Sequence, residues 1–148
     1  MLTNDSPSTV MWSSATPVGT YTVSITGSLG NGQFLSRSFT ITIVNSCLTS
    51  VLTPPTLIDQ EYLITSASVS YIPAVFTSSV PACYITYDLM MADGTNLPLS
   101  IMTFTAATRE LVIQSNNNNQ VDVYNLKMTA EVAGVAPAVA TFKVTVIH

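Results

Sequence analysis

The chain has 148 residues, 47% hydrophobic and only 8% charged, with a net charge of -4. An average soluble domain is roughly 25% charged, so here the hydroxyls of 21 Thr and 17 Ser take over the solvent-facing role between apolar residues. The 8 acidic and 4 basic side chains are scattered singly, which excludes a nucleic-acid footprint, and no apolar run reaches the ~18 residues that a membrane helix requires.

The opening Met1-Leu2-Thr3-Asn4-Asp5-Ser6 has neither the basic nor the apolar region of a signal peptide. Residues Met1 to Pro17 are rich in Ser, Thr and Pro, and the short run Val10-Met11-Trp12 reads as one strand. Next, Tyr21, Val23 and Ile25 alternate with Thr22, Ser24 and Thr26, the period-two pattern of a strand with one buried side. Gly27, Gly30, Asn31 and Gly32 turn the chain, and Phe39, Ile41 and Ile43 return it against Ser38, Thr40 and Thr42. The pair predicts an antiparallel hairpin.

Asn45 and Ser46 form a very short joint before Cys47. Thr53-Pro54-Pro55-Thr56 interrupts pairing, as suits an edge strand that lacks donors, and Leu57-Ile58 is expected to resume it. Tyr62-Leu63-Ile64 and the Val69 to Phe76 segment, with Pro73 inside, predict two more strands or one bent strand. Cys83, Ile85, Tyr87 and Leu89 alternate with Tyr84, Thr86 and Asp88, a strand expected at the centre of its sheet. Asp93-Gly94 marks a tight turn within Ala92 to Asn96. Leu97-Pro98-Leu99 leads to an Ile101 to Phe104 strand, and another begins at Leu111.

The end of the chain repeats its beginning. Tyr124 to Thr129 lies over Tyr21 to Thr26, and Phe142 to Ile147 over Phe39 to Val44, at a constant offset of 103 residues with apolar positions meeting apolar positions. A fixed period marks a repeat array, and about 100 residues is the size of a small β-sandwich. The fold expected is all-β: one complete antiparallel β-sandwich at 46–148, preceded at 1–45 by the C-terminal half of another. On this reading Met1 is an internal position of a longer polypeptide or an artificial boundary. A half-sandwich cannot bury Val10, Trp12, Tyr21, Val23, Ile25, Phe39, Ile41 and Ile43 alone, so an upstream half or another chain must supply the missing strands.

Cys47 and Cys83, 36 positions apart in a charge-poor, hydroxyl-rich sequence, are read as one disulfide in an oxidising compartment, with two buried free thiols as the alternative. The single histidine is the terminal His148, so a Ser-His-Asp or Cys-His arrangement would hang on a chain end. Asp88 and Asp93 could be imagined as an acid/base pair, but a strand face and a turn explain them. No Cys/His cluster has metal-ligand spacing, and no cofactor motif is present. Enzyme is the least supported class. Asn4-Asp5-Ser6 is a glycosylation sequon, and Asn45-Ser46-Cys47 its weaker form. Trp12, Tyr62, Tyr71, Tyr84 and Tyr87 are the candidates for an aromatic face that could stack on glycans.

The order Ile58-Asp59-Gln60, Leu97 to Phe104, Thr108-Arg109-Glu110-Leu111, Tyr124 to Thr129 and Phe142 to Val146 resembles the immunoglobulin-like, dystroglycan-type cadherin repeat. The resemblance covers Cys47 to His148, and Val10 to Asn45 as the later part of a preceding copy. It implies tandem sandwiches on extracellular surface proteins and adhesins. True cadherins hold calcium at their joints through clustered carboxylates, whereas Val44-Asn45-Ser46-Cys47 carries none, so no metal is expected. Gly19-Thr20-Tyr21 and Asp122-Val123-Tyr124 place Tyr21 and Tyr124 as tyrosine corners that fix the fold. The function expected is a non-enzymatic structural repeat of an extracellular filament, stalk or surface coat that self-assembles through strand or head-to-tail contacts. The alternative is an adhesin-type module recognising glycans or a surface partner.

Overall fold

Period-two alternation of apolar and hydroxyl residues gives strands throughout the described residues. The computed structural model describes residues 17–148, so the Val10 to Trp12 strand and the Asn4 sequon lie outside the described residues. The chain divides between Asn45 and Ser46 into two compact units.

In the first unit, β1 (Gly19–Ser28) and β2 (Phe34–Ile43) pair antiparallel as a two-stranded sheet. Gly32 adopts φ 83°, a left-handed conformation that favours glycine. This lets the turn close with Gly32 N–H donating to Leu29 O at 3.0 Å.

The second unit opens with a 3-10 turn, Ser46–Thr49, followed by β3 (Leu52–Thr53), β4 (Gln60–Leu63), β5 (Val69–Tyr71), β6 (Thr77–Ser78) and β7 (Thr86–Met91). Then come β8 (Met102–Thr105), β9 (Glu110–Ile113), β10 (Asp122–Glu131) and β11 (Ala138–Ile147). One sheet runs β4-β11-β10-β7, its β4 parallel to β11, and the other runs β5-β9-β8. Leu111 and Ile113 from the second sheet share one buried cluster with Leu126, Met128 and Val144 from the first. This is an all-β, immunoglobulin-like sandwich. Each such side chain removed from water contributes about 1.5–3 kcal/mol.

Three elements depart from the sequence reading, each for a physical reason. Leu57-Ile58 forms no strand: the chain crosses there from β3, paired with β6, to β4, paired with β11, and the Ile58 N–H goes to the Tyr71 hydroxyl at 3.2 Å. By contrast, the segment from Val69 takes the bent form that the sequence offered, broken around Pro73, with β5 on β9 and β6 on β3. The strand expected from Cys83 begins only at Thr86 and lies at a sheet edge, not its centre. After the Asp93-Gly94 turn the chain does not return as a strand; Ile101 and Met102 N–H both donate to Pro98 O, and β8 joins the opposite sheet. Alternation reports a buried face but not how many neighbours a strand has.

Candidate functional site

The two hairpins are one structure at two places in the chain. β1–β2 pairs Tyr21 with Ile41, Val23 with Phe39 and Ile25 with Arg37; β10–β11 pairs Tyr124 with Val144, Leu126 with Phe142 and Met128 with Ala140. Every one of these positions is displaced by the same 103 residues seen in the sequence. The turn bond is shared as well, since Gly32 N–H to Leu29 O is matched by Val135 N–H to Val132 O, both 3.0 Å. So is the tyrosine contact. Tyr21 Oη donates to Pro17 O at 2.7 Å and Tyr124 Oη to Gln120 O at 2.9 Å, each reaching back four residues. Burial, with the Asp122 carboxylate nearby, pushes the Tyr124 phenol above its ordinary 10.0.

Burial separates them. Met128 is 0% and Phe142 4% exposed, whereas their counterparts Ile25 and Phe39 are 53% and 42% exposed. No described residue of the first unit is buried. On the other face of β1–β2, hydroxyls meet across the strands: Ser24 with Ser38 and Thr26 with Ser36 at 2.6 Å, Thr20 with Thr42 at 3.4 Å. The hairpin therefore presents one apolar face, one hydroxyl face and two strand edges.

Cys47 and Cys83 are joined by a disulfide with Cα atoms 5.6 Å apart. It ties the 3-10 turn at the start of the second unit to the approach to β7. With Cys47 in the bridge, the Asn45-Ser46-Cys47 sequon lacks a free thiol.

The acidic candidates do backbone work. Asp93 Oδ1 accepts Thr95 Oγ1–H at 2.7 Å and Thr95 N–H at 2.9 Å, and these bonds hold its carboxyl below the ordinary 3.8. Asp88 Oδ1 accepts Leu89 N–H, and Asp59 Oδ1 accepts Lys143 N–H at the start of the β4–β11 contact. Among the described residues no three His, Cys, Asp or Glu side chains gather where they could hold a metal ion.

The tyrosine candidates are not brought together as a face. Tyr62 is buried, its hydroxyl donating to Ser66 O at 2.9 Å and accepting Ser115 N–H at 3.2 Å. Tyr71 packs on Phe142 at 5.5 Å and Tyr87 on Phe76 at 6.0 Å between ring centres. Only Tyr84 among them, at 80%, is exposed. Two residues with clear roles carry little sequence signal. Tyr62 sits in a strand like any other, and Arg109 adopts φ 58° while donating from Nη1 to Pro73 O at 2.6 Å and lying 5.4 Å over the Tyr87 ring. An isolated arginine in so uncharged a chain was the only clue.

No protein-family model matches the chain, and no curated protein matches it. Among solved structures the chain is similar to one chain of the crystal structure of a titin and obscurin-like 1 Ig mutant complex, with 18% identity, a TM-score of 0.41, and 66% of this chain and 92% of that chain covered.

Proposed function

We propose that this chain is a non-enzymatic structural repeat module of an extracellular filament, stalk or surface coat. Its units are of the dystroglycan-type cadherin kind, a C-terminal half at 1–45 and a complete repeat at 46–148, assembling through strand or head-to-tail contacts. The observation that carries this reading is the hairpin repeated at one spacing and in one register, with its apolar face covered in one copy and open in the other. An internal repeat is what a tandem array contains, and an open apolar sheet face calls for a neighbour. Contacts that do not close on themselves generate filaments.

One further feature supports the setting. The Cys47–Cys83 disulfide is at home in an oxidising compartment. No helix of the described residues is long and apolar enough to cross a membrane. Among the described residues the adhesin alternative has no aromatic platform, because Tyr62, Tyr71 and Tyr87 are engaged in packing and Tyr84 stands alone; Trp12 lies outside them.

Negative-stain electron microscopy of natively isolated material, beside its intact mass without reductant, tests the reading. The expected result is regular filaments or stalks with a repeat of one to two sandwich lengths, about 35 to 70 Å for strands of this length at ~3.3 Å rise per residue. Monodisperse particles of a single 15.8 kDa chain would count against it.

A further inference from the structure

We infer that the occupant of the β1–β2 face is the first half of a repeat of the same type, joined ahead of the hairpin in the polypeptide and adding a strand to each of its edges. This rests on the repeat reading above and commits it to one partner. The second unit shows what such an occupant looks like. There β7 runs antiparallel along β10 from Leu126 opposite Met91 to Glu131 opposite Thr86, and β4 runs parallel to β11 from Val144 opposite Gln60 to Ile147 opposite Leu63. Shifting by 103 residues places these two junctions on Val23 to Ser28 of β1 and on Ile41 to Val44, the end of β2 and the residue after it. Among the described residues neither edge has a strand neighbour, since β1 and β2 make a two-stranded sheet.

Covalent order and occupancy decide the source. In the second unit every strand that covers the hairpin precedes it in the chain. The β4 and β7 of an intact second copy cannot take the place, because they already pair with that copy's own β11 and β10. Arg37 narrows the chemistry. It lies opposite Ile25, on the apolar face, where the second unit has Ala140 opposite Met128. A purely apolar covering would leave that guanidinium unpaired at a prohibitive desolvation penalty. This repeat type has another answer, visible at Arg109, whose guanidinium rests on the Tyr87 ring and bonds the Pro73 carbonyl. The completing half therefore offers Arg37 an aromatic ring or a carbonyl or carboxylate oxygen.

The test restores the missing half by putting a copy of residues 46–121 in place of residues 1–18, directly ahead of Gly19, in the covalent order found in the second unit. Two copies of 46–148 in tandem serve as the folding control. Amide exchange is followed by mass spectrometry with NMR. Exchange across Val23 to Ser28 is expected to slow by at least about a thousandfold over the unextended chain, the lower end of folded-to-unfolded ratios for small domains. A second disulfide is expected in the intact mass. Fast exchange at β1–β2 in the extended chain, both with Arg37 and with Arg37→Ala in its place to match Ala140, with both units folded in the tandem control, overturns the inference. So does slowing of the same amides in the unextended chain as its concentration rises, which would make a second copy the occupant. A failure to see filaments by microscopy would instead overturn the assembly reading and leave this folding result standing.

Discussion

Two hairpins in this chain share strand register, turn bond and tyrosine contact, and among the described residues one has a core above it while the other does not. Backbone pairing is thus set by local sequence, by alternation and by the residues that close the turn. Burial is set by what arrives from elsewhere. An isolated two-stranded ribbon is marginal in water, so the same residues that anchor the second unit contribute little in the first until a second sheet covers them.

The strongest way to break this comparison is to truncate the same aromatic in each hairpin. Phe142→Ala is expected to destabilise the second unit by about 3–5 kcal/mol, the range for emptying a buried phenylalanine site, while Phe39→Ala shifts the urea midpoint by an amount worth less than about 0.5 kcal/mol. Near-UV circular dichroism during urea unfolding reads both, and equal losses would mean that the first hairpin already has its core.

The covalent link comes next. Cys83→Ser should lower the thermal stability of the second unit by up to about 4 kcal/mol without reductant, the chain-entropy value for a loop of this size, and by nothing once both proteins are reduced. Matching melts in both conditions would remove the bridge from the account of stability.

Hydroxyl removals sharpen the comparison on a finer scale. Tyr62→Phe leaves the Ser115 N–H and the Ser66 carbonyl without their partner inside the sandwich and is expected to cost about 1–3 kcal/mol. Tyr124→Phe removes one bond to Gln120 O, about 1 kcal/mol, and Tyr21→Phe should leave the unfolding of the second unit unmoved. A large effect of Tyr21→Phe on that transition would show the two units to be energetically coupled.

The smallest expected effects are those of pH. The folded Tyr124 phenol titrates above its ordinary 10.0, so its contribution is fully present below that value and is lost as pH rises through the folded one. Alkaline unfolding of Tyr124→Phe should lack this component. Asp93 has the opposite sign: its carboxyl is held low by Thr95, so its contribution is present above the ordinary 3.8 and fades as pH falls through the folded value. Asp93→Asn should flatten the acid limb of the stability curve slightly, a loss confined to the turn.

Much of this architecture could be read from residue order. The alternation from Tyr21 to Ile43 and its echo from Tyr124 to Ile147 determine two hairpins, their inward faces and the all-β class, because a period of two leaves a strand only one way to bury its apolar side. Asp93-Gly94 determines a turn because few residues other than glycine tolerate φ 90° there. Which sheet each strand joins was decided in three dimensions: Pro54, Pro55 and Pro73 say where pairing stops, but not that β3 and β6 pair with each other while β4 crosses to β11. The edge position of β7 and the placing of Arg109 over Tyr87 likewise depend on partners far away in the chain, whose approach no local pattern encodes. That Phe142 is buried and Phe39 is not follows from the same cause: the sequence wrote one alternation twice, and among the described residues a second sheet covers only the later copy.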